Sequence, residues 1–410
     1  MLRPDDCFCY FILKHWIRER NAMNTHAKKV LIITTISGFL PQFEQNNVKL
    51  LHEAGCEIHY ASNFKNPIYT FHAADLEKQG IRLHQIDIEK SPFRFWTNFR
   101  AVRQLLRIIK ENEIDIVHCH NPMGGAAGRI AAGLCRKKPY VIYTAHGFHF
   151  YKGAPKKNWM LFYPAEWLLA RMTDIIVTIN REDYKRAQRF PLKAGGTVFQ
   201  INSVGVDKER FAPRPKINEA KRKELGIQPD AFHIVTAAEL NDNKNQRVII
   251  EAISILPQED IYYSICGKGS GERVLRELIR EKGLENRVRL LGFCTDMEEI
   301  LQTADCFAFP SYREGLGVAA VEALLCGIPL VAADNRGTRE YAMKGKNAFV
   351  CRADDAAEFA KAIDKLYRDK KLRERMAHNC RASAMKFTTE EVEKTMKEVY
   401  RKALYARTDA

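Results

Sequence analysis

The chain has no Cys-x-x-Cys pair, no low-complexity tract, no short fixed repeat and no apolar run near twenty residues. Without about 20 consecutive apolar residues no helix spans a bilayer, so a soluble or peripheral protein is expected. Eleven cysteines are scattered without tight spacing, and Cys266, Cys306 and Cys326 sit inside apolar runs. That usage reads as reduced thiols in a cytosolic protein, not as a disulfide framework. Neither Gly-rich turn fits Gly-x-Gly-x-x-Gly, which disfavours a nicotinamide dehydrogenase.

What is present is an ordinary globular composition, 46% hydrophobic and 28% charged over 410 residues. One core rarely grows past about 250–300 residues, so two domains are expected. The formal charge is +15. Residues 1–205 hold 29 basic and 17 acidic residues, a net of +12; the remainder holds 36 and 33, a net of +3. A solvated surface, nucleic-acid binding and docking on an anionic membrane compete to explain the basic half. None of the known nucleic-acid modules is present, and no nucleic-acid partner is expected. Residues 1–22 read as an extension foreign to the rest of the chain, with Met23 the expected natural start. Their apolar run Cys7–Leu13 precedes its basic residues, the reverse of a secretory signal.

Lys29–Thr35 is a nearly continuous β-branched run, as for a strand buried on both faces of a parallel sheet. Helical spacing over Phe43–Ala54 comes next, ending at Gly55. Strands at Glu57–Ala61, Asp115–His118, Tyr140–Ala145 and Asp174–Ile179 alternate with helices at Arg100–Glu111, Gly124–Leu134 and Asn158–Met172. The pattern restarts with strands at Phe232–Ala237, Tyr262–Cys266, Val288–Leu290, Cys306–Phe309 and Pro329–Ala332. Helices Asn245–Leu256, Glu272–Lys282, Asp296–Ala304, Val318–Cys326 and Asp354–Tyr367 separate these strands or come after them. Such alternation predicts an α/β protein of two Rossmann-like, doubly wound domains facing an interdomain cleft. The boundary is expected near Val204–Pro215, giving domains over 23–205 and 206–385 and a terminal segment 386–410.

The stretch Phe309–Val331 carries the strongest signal. Glu314 lies in a Gly-broken loop and Glu322 eight residues later on a helix. Gly315 and Gly317 let backbone approach a ligand, and the helix N-terminus behind them suits a diphosphate. A carboxylate such as Glu322 can accept two hydrogen bonds from a ribose diol. On spacing alone, a helix with a surface Glu and a Gly-rich lead-in reads equally well. In the first half, His118 and His120 share a strand face and are expected to line the cleft. No acidic or cysteine partner has suitable local spacing, so no metal is expected there. The loop Thr144-Ala-His-Gly-Phe-His-Phe-Tyr-Lys-Gly, dense in His, aromatic and Gly, comes after a strand end.

Glu-Gly-x-Gly, the second Glu, and Ala-Leu-x-Cys-Gly-Ile-Pro-Leu-Val resemble the defining motif of retaining glycosyltransferases of family 4, which have the two-domain glycosyltransferase-B fold. The resemblance runs from about Lys28 to Tyr367. It implies that Glu314 contacts the donor sugar, that Glu322 holds the nucleotide ribose, and that the backbone of Gly315, Leu316 and Gly317 contacts sugar and phosphate. It places Lys244 on the donor diphosphate. Glu239 stands where many members have Arg, so Lys244 acts alone or with Arg313 or Arg336. Gly38, Gly267 and Cys294 fall in loops that approach the donor phosphates, the nucleotide and the base. The His146 loop resembles that of members building exopolysaccharides and capsules; His146 then faces the donor sugar and Phe148–Tyr151 shapes the acceptor side. The segment 386–410 is expected to return to the first domain as a helix. No Asp-x-Asp, the metal-holding pattern of other glycosyltransferases, occurs, so neither metal nor cofactor is implied.

The expected reaction moves a hexosyl or N-acetylhexosaminyl residue from a nucleoside diphosphate sugar, with UDP favoured, to a lipid-diphosphate-linked sugar. A cytoplasmic protein peripheral on an anionic inner membrane face fits the basic half. The helix Asn158–Met172, with Trp159, Phe162 and Trp167, is its candidate contact, or else a core helix with basic ends. A nonhydrolysing sugar-nucleotide epimerase, which shares the fold, is the alternative.

Overall fold

The computed structural model describes residues 27–65, 72–214 and 218–406. The expected extension over 1–22, the start at Met23 and Pro215 lie outside them. Two wholly parallel sheets succeed one another along the chain. The first comprises β1 (Lys29–Ile33), β2 (Glu57–Ser62), β3 (Arg82–Gln85), β4 (Ile116–His120), β5 (Tyr140–Ala145), β6 (Ile175–Thr178) and β7 (Thr197–Gln200). Its spatial order is β3-β2-β1-β4-β5-β6-β7. The second comprises β8 (Phe232–Ala237), β9 (Ile261–Cys266), β10 (Val288–Gly292), β11 (Cys306–Phe309), β12 (Leu330–Ala333) and β13 (Ala348–Cys351), in the order β10-β9-β8-β11-β12-β13. In each sheet the winding reverses beside the first strand, between β1 and β4 and between β8 and β11. Crevices at the carboxyl ends of such strands are where ligands bind. This is the expected doubly wound architecture, twice over.

The central strands form where the sequence is continuously apolar: Val30, Leu31, Ile32 and Ile33 are fully buried, as are Cys306, Phe307 and Ala308. Helices cover both faces and bury single stripes. Ala101, Leu105 and Ile109 line the inner face of helix Phe95–Glu111. The side chain of Asp355 caps helix Ala356–Arg368 by accepting the Glu358 N–H at 2.9 Å. Three strands that the sequence pattern does not reveal, β3, β7 and β13, are all edge strands. An edge strand needs less apolar sequence, and β3 reads Arg-Leu-His-Gln with both ends exposed.

Two features bear on function. The helix expected over Phe43–Ala54 is broken into Phe39–Phe43 and Gln45–Glu53, with Glu44 at the joint. The last helix, Thr389–Tyr405, lies against the first sheet. Its Tyr400 hydroxyl is 2.9 Å from His118 Nδ1, and its Glu393 pairs with Lys49 at 3.1 Å.

Candidate functional site

The loop after β5 begins at His146, and the loop after β11 runs to Gly317, where helix Val318–Leu325 starts. The two loops touch. A Cβ on Gly315 would lie 2.4 Å from the His146 carbonyl oxygen, so no other residue fits without separating them. Gly317 turns the chain into the helix with φ +100, and a Cβ there would meet the Phe309 ring at 2.6 Å. Beside this contact lies a cavity of about 270 Å³ lined by Tyr143, His146, His149, Arg313, Glu314 and Arg336, among others. The structure therefore brings His146 and Glu314, from different sheets, to one cleft. Phe148 and His149 join its lining, while Phe150 is buried behind them.

Arg336, beyond β12, fastens the two sides. It donates to Asp183 Oδ1 at 2.8 Å, to the Phe148 carbonyl at 2.9 Å and to the Glu314 carbonyl at 3.2 Å. Asn180, the N-cap of helix Arg181–Ala187, donates across the same seam to the Gly315 carbonyl at 3.2 Å. Arg336 is thus committed to structural partners. Arg313 also lines the cleft, and no carboxylate lies within 4 Å of it among the described residues.

Lys244 Nζ donates to Glu314 Oε1 at 2.6 Å. The two residues singled out for the donor diphosphate and sugar are held to one another, leaving Glu314 Oε2 open. Glu239 is exposed, and only its backbone carbonyl is engaged, by Gln246 Nε2 at 3.0 Å.

Glu322 sits in the second turn of helix Val318–Leu325, off the lining of the cavity. Its carboxylate has no hydrogen-bond partner among the described residues. Burial pushes its pKa up to about 7; the nearby Arg210 opposes the shift and Glu298 adds to it. Gly267 comes just after β9 and donates its N–H to the Gly292 carbonyl, while Cys294 comes just after β10 with its thiol 3.5 Å from that same carbonyl. Gly38 precedes helix Phe39–Phe43 beyond β1, also off the cavity. Leu316 is buried, so only its backbone is available.

The His118–His120 pair does not line the cleft. Both rings are wholly buried, 4.2 Å apart between centroids. His118 is held by Tyr400 at 2.9 Å and Thr144 at 2.8 Å. His120 Nδ1 lies 3.2 Å from His146 Nε2 and 3.2 Å from Glu44 Oε1. Glu44 is the acidic partner that local spacing did not supply, and with both histidines it has the donor set of a metal site. Burial lowers His120 to about 3 and His146 to about 4, and it raises Glu44. Neutral imidazoles are the resting forms.

Residues 217–383 match the family of glycosyl transferases group 1, and residues 29–179 match the glycosyl transferase 4-like family. EpsD of Bacillus subtilis (strain 168), a glycosyltransferase by assignment, is 37% identical over 377 residues, covering 91% of this chain and 96% of its own. The Escherichia coli UDP-Gal:alpha-D-GlcNAc-diphosphoundecaprenol alpha-1,3-galactosyltransferase is 28% identical over 293 residues, covering 69% of this chain and 74% of its own. Among solved structures, Anabaena HepE in complex with UDP and glucose matches with a TM-score of 0.74 at 20% identity, covering 91% of this chain and 99% of that one. That likeness concerns the fold. The epimerase alternative falls with these matches. The family matches fall one on each of the two parallel sheets, whose loops meet at His146 and Glu314, and the chain belongs to the group 1 glycosyltransferases.

Proposed function

We propose that this enzyme transfers a hexosyl or N-acetylhexosaminyl residue, with retention, from a UDP-sugar to the hydroxyl of a lipid-diphosphate-linked saccharide in cell-surface polysaccharide synthesis. The observation that carries the reading is the meeting of His146 and Glu314 at one cleft with Lys244 bound to Glu314. The donor and acceptor classes are those in the name of the Escherichia coli relative. The bond from the anomeric carbon to the β-phosphate oxygen breaks, and a bond to the acceptor oxygen forms on the same face. The acceptor proton passes to the departing diphosphate. Lys244 and the N-terminus of helix Val318–Leu325 stabilise that leaving charge. Glu314 Oε2 accepts from donor-sugar hydroxyls, and Glu322 accepts from the ribose diol.

The pKa of Glu322 gives this reading a test. Its carboxyl is raised to about 7, so it is largely neutral at pH 6 and ionised at pH 8. Only the ionised form accepts both ribose hydroxyls fully. With a panel of UDP- and GDP-sugars, one donor should release nucleotide, and its KM should fall about tenfold from pH 6 to pH 8. Glu322→Gln should flatten that profile. Failure of every donor would overturn the proposed reaction, and an unchanged profile in the variant would remove Glu322 from the ribose.

The basic half fits an anionic membrane, and a second surface besides the helix that its sequence suggested suits the contact. Trp159, Phe162 and Trp167 pack inward against the core of the first sheet. Helix Lys156–Ala170 exposes Met160, Leu161 and Leu168, and the exposed aromatic residues are Phe93 (71%), Phe95 (69%), Trp96 (84%) and Phe99 (57%), at the start of helix Phe95–Glu111. Lys90, Arg94, Arg100 and Arg103 interleave with them. This helix begins at the carboxyl edge of the sheet, the edge that bears the His146 loop. Aromatic and basic side chains together suit an anionic interface. Trp96→Ser with Phe95→Ser should weaken co-sedimentation with anionic vesicles at least about tenfold. Equal binding of the wild type to neutral vesicles would remove the electrostatic part.

A further inference from the structure

Glu44, His120 and His146 come from three separate segments: the joint between two short helices, the end of β4 and the loop after β5. Nothing in donor recognition requires Glu44 or His120, which are both buried behind the cleft. Their geometry nevertheless fixes a property of His146.

His120 Nε2 is buried and has no partner. A buried N–H without an acceptor costs more than it returns, so the proton of neutral His120 belongs on Nδ1. There it faces two acceptors at 3.2 Å, Glu44 Oε1 and His146 Nε2. Glu44 is itself held by Asn47, which donates to its other oxygen. If His120 donates from Nδ1, a proton on His146 Nε2 would face that N–H, and the other acceptor near it, Glu44 Oε1 at 3.7 Å, is beyond hydrogen-bond reach, so His146 Nε2 is the lone-pair nitrogen. The proton of neutral His146 then sits on Nδ1. That nitrogen has no partner among the described residues, and His146 lines the cavity. Phe39 stands edge-on to the His146 ring, with centroids 4.8 Å apart, and limits its rotation.

We infer that Glu44 and His120 are positioning residues, a buried chain that sets the tautomer of His146 so that it presents Nδ1–H, a hydrogen-bond donor, to the sugar in the cleft. The chain rests on the reading of His146 as a sugar-facing residue, but its tautomer is readable without any substrate. Which nitrogen carries the proton is set by what the other one meets. A donor at this position favours a sugar hydroxyl acting as acceptor, or charge developing on the ring or leaving oxygen. It disfavours His146 as a base toward the acceptor hydroxyl.

The test uses the full-length protein labelled with nitrogen-15 at histidine. In the wild type, His146 should show a protonated Nδ1 and a bare Nε2. Glu44→Gln and His120→Leu should each lose that single state. They should lower kcat about tenfold and leave the donor KM within about twofold. His120→Asn places an amide N–H near the lost Nδ1–H and should restore both the tautomer and most of kcat. It also covers the case in which the leucine variant folds poorly. A His146 protonated at Nε2 in the wild type would overturn the inference, whatever the activity. So would equal losses in the asparagine and leucine variants, which indicate packing alone. A divalent metal retained at one per chain, found by mass spectrometry of the purified protein, would overturn it in favour of a three-ligand metal site.

Discussion

Lys244→Ala is expected to lower donor-dependent nucleotide release by about 10²–10³, the loss seen when one preorganised group facing a developing anion is removed. The size reflects how few cations are available. Glu239, where the family resemblance implies an arginine, is exposed to solvent. Arg336 is spent on Asp183 and on the Phe148 and Glu314 carbonyls. Arg313 is left as the second cation on the cleft. The resting pair of Lys244 and Glu314 at 2.6 Å complicates a single substitution, because alanine also strips a partly buried carboxylate of its counter-ion. Lys244→Ala with Glu314→Gln separates the two effects. If Lys244 serves the diphosphate, the double variant stays as slow as the single one and UDP binding weakens in both. If Lys244 serves only to neutralise Glu314, the double variant recovers UDP affinity. Isothermal titration with UDP, which carries no sugar for Glu314 to hold, gives the deciding number.

The central strands were legible because burial on both faces demands a continuous apolar run, and Lys29–Ile33 or Cys306–Phe309 can be little else. The edge strands β3, β7 and β13 and the helix Lys370–Ala384, which buries only Met376, Cys380 and Ala384, carry too little apolar signal. The stretch from Phe309 to Val331 was legible for another reason: strand, Gly-broken loop and helix are contiguous, so the motif and its geometry coincide. His146 stood out by composition. What joins the two halves did not. Asp183 and Arg336 are 153 positions apart, and nothing in the sequence pairs them. Glu44 falls inside a helical pattern, and it reaches His120 only because the chain breaks there. The aromatic residues of helix Lys156–Ala170 stay open between core and membrane face until the fold is seen. Large apolar residues surround this helix on every side, so periodicity cannot choose.

Glu166→Gln is expected to destabilise the first-sheet half by about 3–5 kcal/mol, the cost of leaving a buried charge uncompensated. Arg129 is wholly buried in helix Pro122–Leu134, and its only carboxylate partner among the described residues is Glu166, at 2.8 Å. The guanidinium also lies 3.9 Å from the centroid of the Tyr143 ring, whose hydroxyl donates to Glu166 at 3.1 Å. The three residues form one buried unit held mainly by charge, and Gln cannot neutralise Arg129. All four tryptophans (Trp16, Trp96, Trp159 and Trp167) lie before residue 206, so fluorescence-detected melting tracks this half selectively. The midpoint should fall by about 6–20 °C for a unit of this size. Arg129→Met with Glu166→Leu removes both charges and should recover most of the loss, since a buried ion pair rarely outperforms well-packed apolar side chains. The recovery need not extend to turnover. Tyr143 lines the cleft, and its hydroxyl would lose the acceptor that orients it. A stable but slow double variant would show that this charge pair, buried on the far side of the ring, is kept for the shape of the cleft, whereas full activity would assign it to folding alone.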